Sequence, residues 1–378
     1  MDIGKINNQS QKDWLIIIYS AGDNDLHQDL FNDLDELEEI GSNDNIDIVA
    51  IADQGNQGVQ WKGAKILHLQ KDEEIGKINS PTLENLGNVN MADPDFMSKK
   101  IGEIINKFPS KNVMVIISDH GSGWQGAIDD ITPIFRNMKL KQIKEAFKKL
   151  TEIAGRKIDI LGWDACLMGM FEVGYELKDY VKYMVASEQT IGAEGWPYKN
   201  IFAKIIKKLV KSYRNEEENI PENLAKKIVK SCMDFPSIRT LSAVDLSKSE
   251  ELAKSVDELS LTILKYPEYF PTIRQIFINT QKFYMGYRDL GHFLELLQKS
   301  NVNQEIKEKA SKTMEKLKEY VIQNYHNQEY PHAHGVSIEM PLNPRPYEYA
   351  KTDFAASTHW DKMYYTVTGY NPPLPIPA

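Results

Sequence analysis

VMVIISDHGSG, residues 113–123, and IDILGWDACL, residues 158–167, are the two stretches that decide the fold of this chain. Each begins with an apolar run typical of a buried strand and ends near a reactive side chain, His120 in the first stretch and Cys166 in the second. Active sites of open α/β sheets lie at the carboxyl ends of the strands. The pair therefore predicts a parallel sheet that carries a cysteine-hydrolase site.

Strand and helix signals alternate through the first 245 residues. An apolar run at residues 14–20 is followed by a polar turn, by a helical repeat that contains Leu30 and Leu34, and by a second apolar run at residues 46–53. This order is a βαβ unit, which predicts a parallel sheet with helices on both faces. Further strands are predicted at residues 65–69, 181–187 and 238–244, and helices at residues 94–108 and 140–150. The expected fold class is α/β, with six or seven strands in this part.

The sequence pattern changes after residue 245. Residues 250–265, 287–298 and 305–324 read as long helices rich in lysine and glutamate. A late strand is predicted at residues 335–340, with pairing to the main sheet, and the proline-rich tail predicts an extended segment. We therefore expect a catalytic domain over residues 1–245 and a mainly helical domain over residues 246–378.

The composition limits the classes of partner. The chain has 54 acidic and 45 basic residues, a net charge of -9, which argues against nucleic acid or an anionic membrane surface and favours cationic peptides. No apolar stretch approaches the length needed to cross a bilayer. The polar start lacks a signal-peptide pattern, which predicts a cytoplasmic protein, or a secreted one if a leader has been removed. We expect a monomer.

Only two cysteines occur, Cys166 and Cys232, which makes a disulfide framework improbable and favours free thiols. Cys232 lies in a helical context and is predicted to be structural. A cysteine attacks a carbonyl as its thiolate and needs a histidine to take the proton. His120 precedes Cys166 by 46 positions, the length of one helical crossover plus a strand. The backbone N–H groups of Gly121 and Cys166 could then stabilise an oxyanion.

A simpler interpretation is that His120 merely ends a strand and that Cys166 is a small buried apolar residue, as lone buried cysteines usually are. Both side chains, however, follow neighbouring strands, and glycines stand beside the histidine. This paired placement favours a catalytic pair.

The runs HGSGW (residues 120–124) and DACLM (residues 164–168) resemble the clostripain family of cysteine peptidases, of the clan that includes caspases, gingipains and legumains. YSAGDNDL (residues 19–26) and LGNVNMAD (residues 86–93) resemble further segments of that family, and the likeness continues in short C-terminal stretches at residues 289–290, 335–338 and 354–360. The resemblance implies a caspase-like αβα sandwich. It also implies an endopeptidase that uses His120 and Cys166, forms a thioester acyl-enzyme and cuts after arginine or lysine.

The same resemblance implies a pocket for a basic side chain. Asp164, two positions before the cysteine, matches the acid that lines this pocket in the family. A second acid is expected in a glycine-tryptophan context, where this chain has Glu194 instead of the aspartate that is common there. The residues alone leave open a strand-end cap for Asp164 and a solvated loop charge for Glu194. The preference between arginine and lysine is left open as well.

Residues 129–139 are predicted to form a surface loop, in a region where relatives are often cut to mature. Arg136 and Lys139 are the candidate self-cleavage sites, since exposed loops are nicked most easily. The alternative is that the loop is too short to reach any active site and that the uncut chain is active.

The chemistry itself requires no cofactor, and no residue is assigned as a metal ligand. The oxygen-rich turn Asp23-Asn24-Asp25 suits calcium, which some relatives use, so calcium is kept as a candidate ion. Such clusters are more often turns or helix caps. The pair His332 and His334 is weak evidence for a metal, and the other histidines show no ligand spacing.

Together these observations predict a cysteine endopeptidase that cleaves after arginine or lysine. One rival is a catalytically silent caspase-like module that binds peptides or partners, although the intact His120 and Cys166 count against it. The other rival is a thiol acyltransferase or ligase on the same scaffold, because an amine can intercept an acyl-enzyme in place of water.

Overall fold

A nine-stranded sheet runs through the computed structural model, which describes residues 11–55, 58–131, 134–203, 220–340 and 346–370. The strands are β1 (Lys12–Ala21), β2 (Ile46–Asp53), β3 (Ala64–His68), β4 (Thr82–Gly87), β5 (Ser110–Ser118), β6 (Ala127–Asp130), β7 (Arg136–Met138), β8 (Ile158–Asp164), β9 (Val181–Ala186), β10 (Thr240–Asp245), β11 (Arg288–Asp289), β12 (Val321–His326) and β13 (Ser337–Ile338). The large sheet has the order β12-β10-β9-β8-β5-β1-β2-β3-β4, and two small sheets pair β6 with β7 and β11 with β13.

Helices precede, connect and follow these strands. They are α1 (His27–Glu38), α2 (Pro94–Lys107), α3 (Leu140–Ala154), α4 (Phe171–Leu177), α5 (Ile220–Ser231), α6 (Ser249–Leu264), α7 (Phe270–Asn279), α8 (Leu290–Lys299), α9 (Gln304–Tyr320), α10 (Pro346–Tyr349), α11 (Asp353–Ser357) and α12 (Trp360–Thr368). None of the helices in the described part combines the length and apolarity needed to cross a bilayer.

The five central strands are parallel, and the outer strands are antiparallel. β9, β8, β5, β1 and β2 pair in parallel, whereas β3, β4, β10 and β12 add to the two sides in antiparallel fashion. Every residue of β2 and of β8 is buried, as expected for strands covered on both faces. The predicted α/β class with a mostly parallel caspase-like sheet is therefore confirmed.

Two apolar layers cover the sheet. Along β1, Leu15 and Ile17 belong to the core on one face, and Trp14 and Ile16 belong to the core on the other, because side chains alternate along a strand. Helices α2 and α3 pack on the first face, and α1 and α5 pack on the second. This layering fixes the ends of β5 and β8, from which the candidate site is built.

The sequence analysis missed β4 and misplaced two later elements. β4 is largely exposed and rich in polar residues, so it lacks an apolar run. The helix predicted to run to residue 324 ends at Tyr320, and Val321–His326 forms the antiparallel edge strand β12. The late strand predicted at residues 335–340 is only Ser337–Ile338, and it pairs with β11 instead of the main sheet.

The segment after residue 245 is largely helical, as predicted, but it is closely joined to the rest. It supplies β12 to the main sheet, and apolar residues of its helices belong to the same core cluster as β5 and β8. The domain boundary at residue 245 stays a prediction. The proline-rich tail at residues 371–378 lies outside the described residues.

Candidate active site

The parallel pairing of β5 and β8 brings His120 and Cys166 to the same end of the sheet. Ser118 on β5 is in register with Asp164 on β8. His120 lies two positions after Ser118, and Cys166 lies two positions after Asp164. Both residues line one cavity of about 170 Å³. The site therefore occupies the carboxyl ends of the strands, as in other open α/β sheets.

A buried carboxylate holds the backbone that carries His120. Asp119 is 3% exposed and accepts hydrogen bonds from the backbone N–H groups of His120 and Asp129, both at 2.6 Å. It also accepts one from the side-chain amide of Asn24 at 2.8 Å. Burial raises the pKa of the Asp119 carboxyl, and these donors oppose the shift. Asp119 thereby ties the histidine loop to β6 and to the turn after β1.

The ring of His120 contacts an exposed acid. Its Nε2 atom lies 2.8 Å from a carboxylate oxygen of Asp25, and this contact lowers the pKa of Asp25. The Asp25 side chain is 83% exposed, so we expect the pair to orient the ring only weakly.

Gly121 allows the histidine loop and the cysteine loop to touch. A Cβ atom at this position would lie 2.3 Å from the carbonyl oxygen of Cys166 and 3.1 Å from its backbone nitrogen. Only a residue without a side chain fits such an approach. The backbone at Gly121 and the amide of Cys166, predicted above as oxyanion donors, are therefore neighbours.

Cys166 stands at a sharp turn directly after β8. The next residue, Leu167, has a φ of 67°, a left-handed conformation that is unfavourable for a non-glycine residue and that is often found at functional sites. The Cys166 thiol is partly buried and accepts a hydrogen bond from the backbone N–H of Ile191 at 3.4 Å. The other cysteine, Cys232, is fully buried and directly follows α5.

The two reactive side chains share the cavity without a hydrogen bond between them. Among the described contacts, the His120 ring bonds to Asp25 and the Cys166 thiol contacts the backbone of Ile191. Catalytic pairs are often this open before a substrate binds.

The environment of Cys166 predicts a neutral thiol at rest. Burial raises the pKa of this thiol above its usual value, and the nearby charge of Asp164 adds to the effect, although the N–H of Ile191 opposes it. We expect the rate of alkylation by iodoacetamide to rise about tenfold per pH unit from pH 6 to 8, because only the thiolate reacts. The measurement is intact mass against time. A fast rate that is independent of pH between 5 and 7 would indicate a preformed thiolate and contradict this assignment.

Asp164 forms part of the cavity wall and also holds the opposite loop. It is 5% exposed, and its Oδ2 atom accepts hydrogen bonds from the backbone N–H of Trp196 at 3.0 Å and from the hydroxyl of Tyr198 at 2.9 Å. Burial raises the pKa of its carboxyl to about 6. The structure thus gives Asp164 a positioning role for the loop in addition to its place in the cavity.

The structure does not bring Glu194 into the cavity. Its side chain is exposed, it is absent from the cavity lining, and its Oε2 atom lies 2.7 Å from the Cβ position of Gly192. The acids that line the cavity with Asp164 are Asp119, described above, and Asp33 of α1, which the sequence analysis passed over. The sequence did carry a signal for the burial of Asp33. This acid lies three residues after Leu30 and four before Leu37, inside the apolar stripe of the helix.

The segment predicted as a loop at residues 129–139 contains parts of two paired strands, β6 and β7. β6 and β7 pair through Asp129 with Asn137 and Asp130 with Arg136, so the loop prediction was wrong for the strand residues 129–130 and 136–138. Polar residues at both strands hid this pairing from the sequence analysis. Arg136 and Lys139 are exposed, and their self-cleavage stays a prediction.

Three buried carboxylates lie close to the histidine loop. Asp23, Asp53 and Asp130 each offer one oxygen, and these oxygens all lie within 4.8 Å of one another. One oxygen of Asp23 and one of Asp53 are buried and have no hydrogen-bond partner among the described residues. Hard oxygen ligands of this kind suit calcium or magnesium.

The turn Asp23-Asn24-Asp25 is engaged in other contacts. The side-chain amide of Asn24 donates to Ala21, Asp119 and Asp129, and its oxygen accepts from the N–H of Leu26. Asp25 is exposed and bonds to His120. Of this turn, Asp23 belongs to the cluster of buried carboxylates found among the described residues.

Comparisons with known proteins agree with this geometry. A sequence model of the clostripain family matches residues 18–367. Clostripain from Hathewaya histolytica is 24% identical over 426 residues, which cover 94% of this chain and 80% of that protein.

Two solved structures share the fold. A secreted C11 cysteine protease from Bacteroides thetaiotaomicron, in complex with an irreversible peptide inhibitor, matches with a TM-score of 0.67 and 17% identity over 93% of this chain and 99% of that chain. An inactive zymogen C11 protease from Parabacteroides distasonis matches with a TM-score of 0.66 and 18% identity over 93% of this chain and 98% of that chain.

Proposed function

The chain belongs to the clostripain family, as a cysteine endopeptidase, and from this premise we propose that it cleaves peptide bonds after arginine or lysine with Cys166 as nucleophile and His120 as base. The observation that carries the proposal is the shared cavity. It combines His120 and Cys166 with the buried acid Asp164. A partly desolvated carboxylate beside the nucleophile suits a substrate side chain of positive charge.

The mechanism follows from the two strand ends. The sulfur of Cys166 attacks the carbonyl carbon of the scissile bond while its proton passes to the ring of His120. The backbone N–H groups of Gly121 and Cys166 hold the oxyanion. The C–N bond then breaks, His120 gives its proton to the leaving amine, and a thioester remains. Water activated by His120 hydrolyses the thioester and restores the thiol.

Asp164 and Glu194 are proposed to select the cationic residue of the substrate that precedes the scissile bond. The two acids differ in burial and in their distance from the cavity lining. Asp164 lies on the cavity wall, where its carboxylate is buried, whereas Glu194 is exposed and outside the cavity lining. Because solvent screens an exposed charge, we expect Asp164 to affect substrate choice far more than Glu194.

A proteome-derived peptide library tests this function. We expect the new carboxyl termini, read by mass spectrometry, to be lysine or arginine. Cleavage after acidic or apolar residues would contradict the proposed specificity. Repeating the digest with an added amine nucleophile distinguishes hydrolysis from transfer, since a ligase would yield mainly aminolysis products.

Calcium is proposed as a structural ion held by Asp23, Asp53 and Asp130. Bound there, it would neutralise buried carboxylates beside the histidine loop. We expect calcium to raise the melting temperature by a few degrees and Asp53→Asn to remove this response, whereas Asp44→Asn, at an exposed acid, should keep it. An unchanged melting temperature of the wild type with calcium would contradict the site.

The metal-free protein should show a related dependence on pH. Burial raises the pKa of Asp53 to about 7, well above that of an unfolded aspartate. The unfolded chain therefore loses this proton first, so the stability that Asp53 contributes is full below about pH 4 and is lost as the pH rises through 7. Asp53→Asn should flatten this part of the stability profile.

A further inference from the structure

Asp33 is a buried carboxylate on the cavity wall that the mechanism above does not use. It lies on α1, is 6% exposed, and lines the cavity together with Leu26 and Leu30. Its Oδ2 atom is buried and has no hydrogen-bond partner among the described residues. Burying a carboxylate without a partner is unfavourable, so a ligand that supplies the partner gains binding energy.

The groups around Asp33 make its surroundings negative. After burial itself, the charges of Asp164 from β8 and of Glu36 and Asp29 from its own helix raise the pKa of Asp33. None of these groups is a cation. The environment therefore favours a positively charged ligand, which would relieve the repulsion between the acids.

The other acids at or near the cavity differ from Asp33 in their contacts. Asp119, which also lines it, accepts backbone hydrogen bonds on both of its carboxylate oxygens. The Oδ2 atom of Asp164 already accepts two hydrogen bonds, from the backbone of Trp196 and the hydroxyl of Tyr198. Glu194 is exposed and outside the cavity lining. Among the acids that line the cavity, Asp33 is thus the one with a buried oxygen that has no hydrogen-bond partner among the described residues.

We propose that Asp33 is a further specificity-determining residue, which pairs with the cationic side chain of the substrate in addition to Asp164. Leu26 and Leu30 contact the methylene groups of that side chain, as apolar surfaces commonly do for lysine and arginine. Asp164 holds the loop that closes the other side of the pocket. The inference rests on the proposed function. It adds a residue that recognises the positive charge of the substrate side chain.

Matched substrates test this inference. Three fluorogenic peptides differ only in the residue before the bond, which is lysine, arginine or norleucine, the last having the apolar stem of lysine without the charge. We expect Asp33→Asn to lower kcat/KM for the lysine and arginine peptides by about 10- to 100-fold and to leave the norleucine peptide little changed. Asparagine has nearly the same shape and removes a buried acid that is costly to ionise, so the melting temperature should not fall.

Asp35→Asn is the matched control, since it makes the same change two residues later on α1, outside the cavity lining and outside the acids that raise the pKa of Asp33. It should keep the preference for lysine and arginine. If Asp33→Asn also kept this preference in an enzyme whose wild type shows it, the inference would be overturned and the proposed function would stand. If the wild type cleaved all three peptides equally well, the proposed specificity itself would be overturned.

A binding measurement reads the same site without turnover. Calorimetric titration of the Cys166→Ala protein with agmatine, which carries the guanidinium of an arginine side chain, should show binding that Asp33→Asn weakens at least about tenfold. Equal affinity in the two proteins, or no binding to either, would overturn the role of Asp33 whatever the peptide assays show.

Discussion

Replacing Cys166 by alanine is expected to abolish peptidase activity, with a loss in kcat of about 10⁴-fold or more. The chemistry requires a thiolate, and the structure places this thiol in the same cavity as His120, directly before the strained residue Leu167. The measurement is the rate of peptide hydrolysis at equal protein concentration. The melting temperature should stay close to that of the wild type, because Cys166 is only partly buried.

Cys232→Ala is the matched control for this experiment. Cys232 is fully buried, and burial raises its pKa, so it is expected to be unreactive. The variant should keep its activity and lose some stability from the small cavity that remains. Full activity of Cys166→Ala, or loss of chemistry in a folded Cys232→Ala protein, would show that the nucleophile has been misassigned.

The second large effect is expected for Gly121→Ala, with kcat/KM reduced by about 10²-fold or more. The new methyl group would lie 2.3 Å from the carbonyl oxygen of Cys166, so the loops that carry His120 and Cys166 must separate. This separation moves the histidine and the proposed oxyanion donors relative to the sulfur. Since the φ of Gly121 is not in the left-handed region, backbone strain does not contribute.

Gly155→Ala distinguishes this effect from general destabilisation. Gly155 caps α3 with a φ of 65° and has open space around its Cβ position, so alanine should cost about 1 kcal/mol through backbone strain alone. It should lower the melting temperature and leave kcat/KM unchanged. If Gly121→Ala behaved in the same way, the close contact of the two loops would have no role in catalysis.

The sequence was sufficient for the central sheet because its strands are continuous apolar runs. It failed at β12, where Val321–His326 directly follows a long helix without a glycine or proline to mark the end. Pairing with Thr240–Asp245 makes this segment a strand, because a tertiary contact of this kind overrides the local preference for a helix. The hairpin of β6 and β7 was missed for a similar reason.

The candidate site shows the same division. The positions of His120 and Cys166 after adjacent strands follow from local pattern, and the structure brings both to one cavity. Whether an acid near this cavity is buried or exposed depends on how α1 and the loop after β9 pack against the cavity. A buried Asp33 and an exposed Glu194 cannot be told apart by residue type, because burial is a property of the packed structure.

The central claim is that Cys166 attacks a carbonyl beside a cationic side chain. A peptidyl chloromethyl ketone ending in lysine tests it most directly, since the thiolate displaces chloride and forms a stable thioether. Mass spectrometry of the digested adduct should show one label, on Cys166, formed much faster than with the norleucine analogue. Labelling of Cys232, or equal rates for the two reagents, would contradict the account.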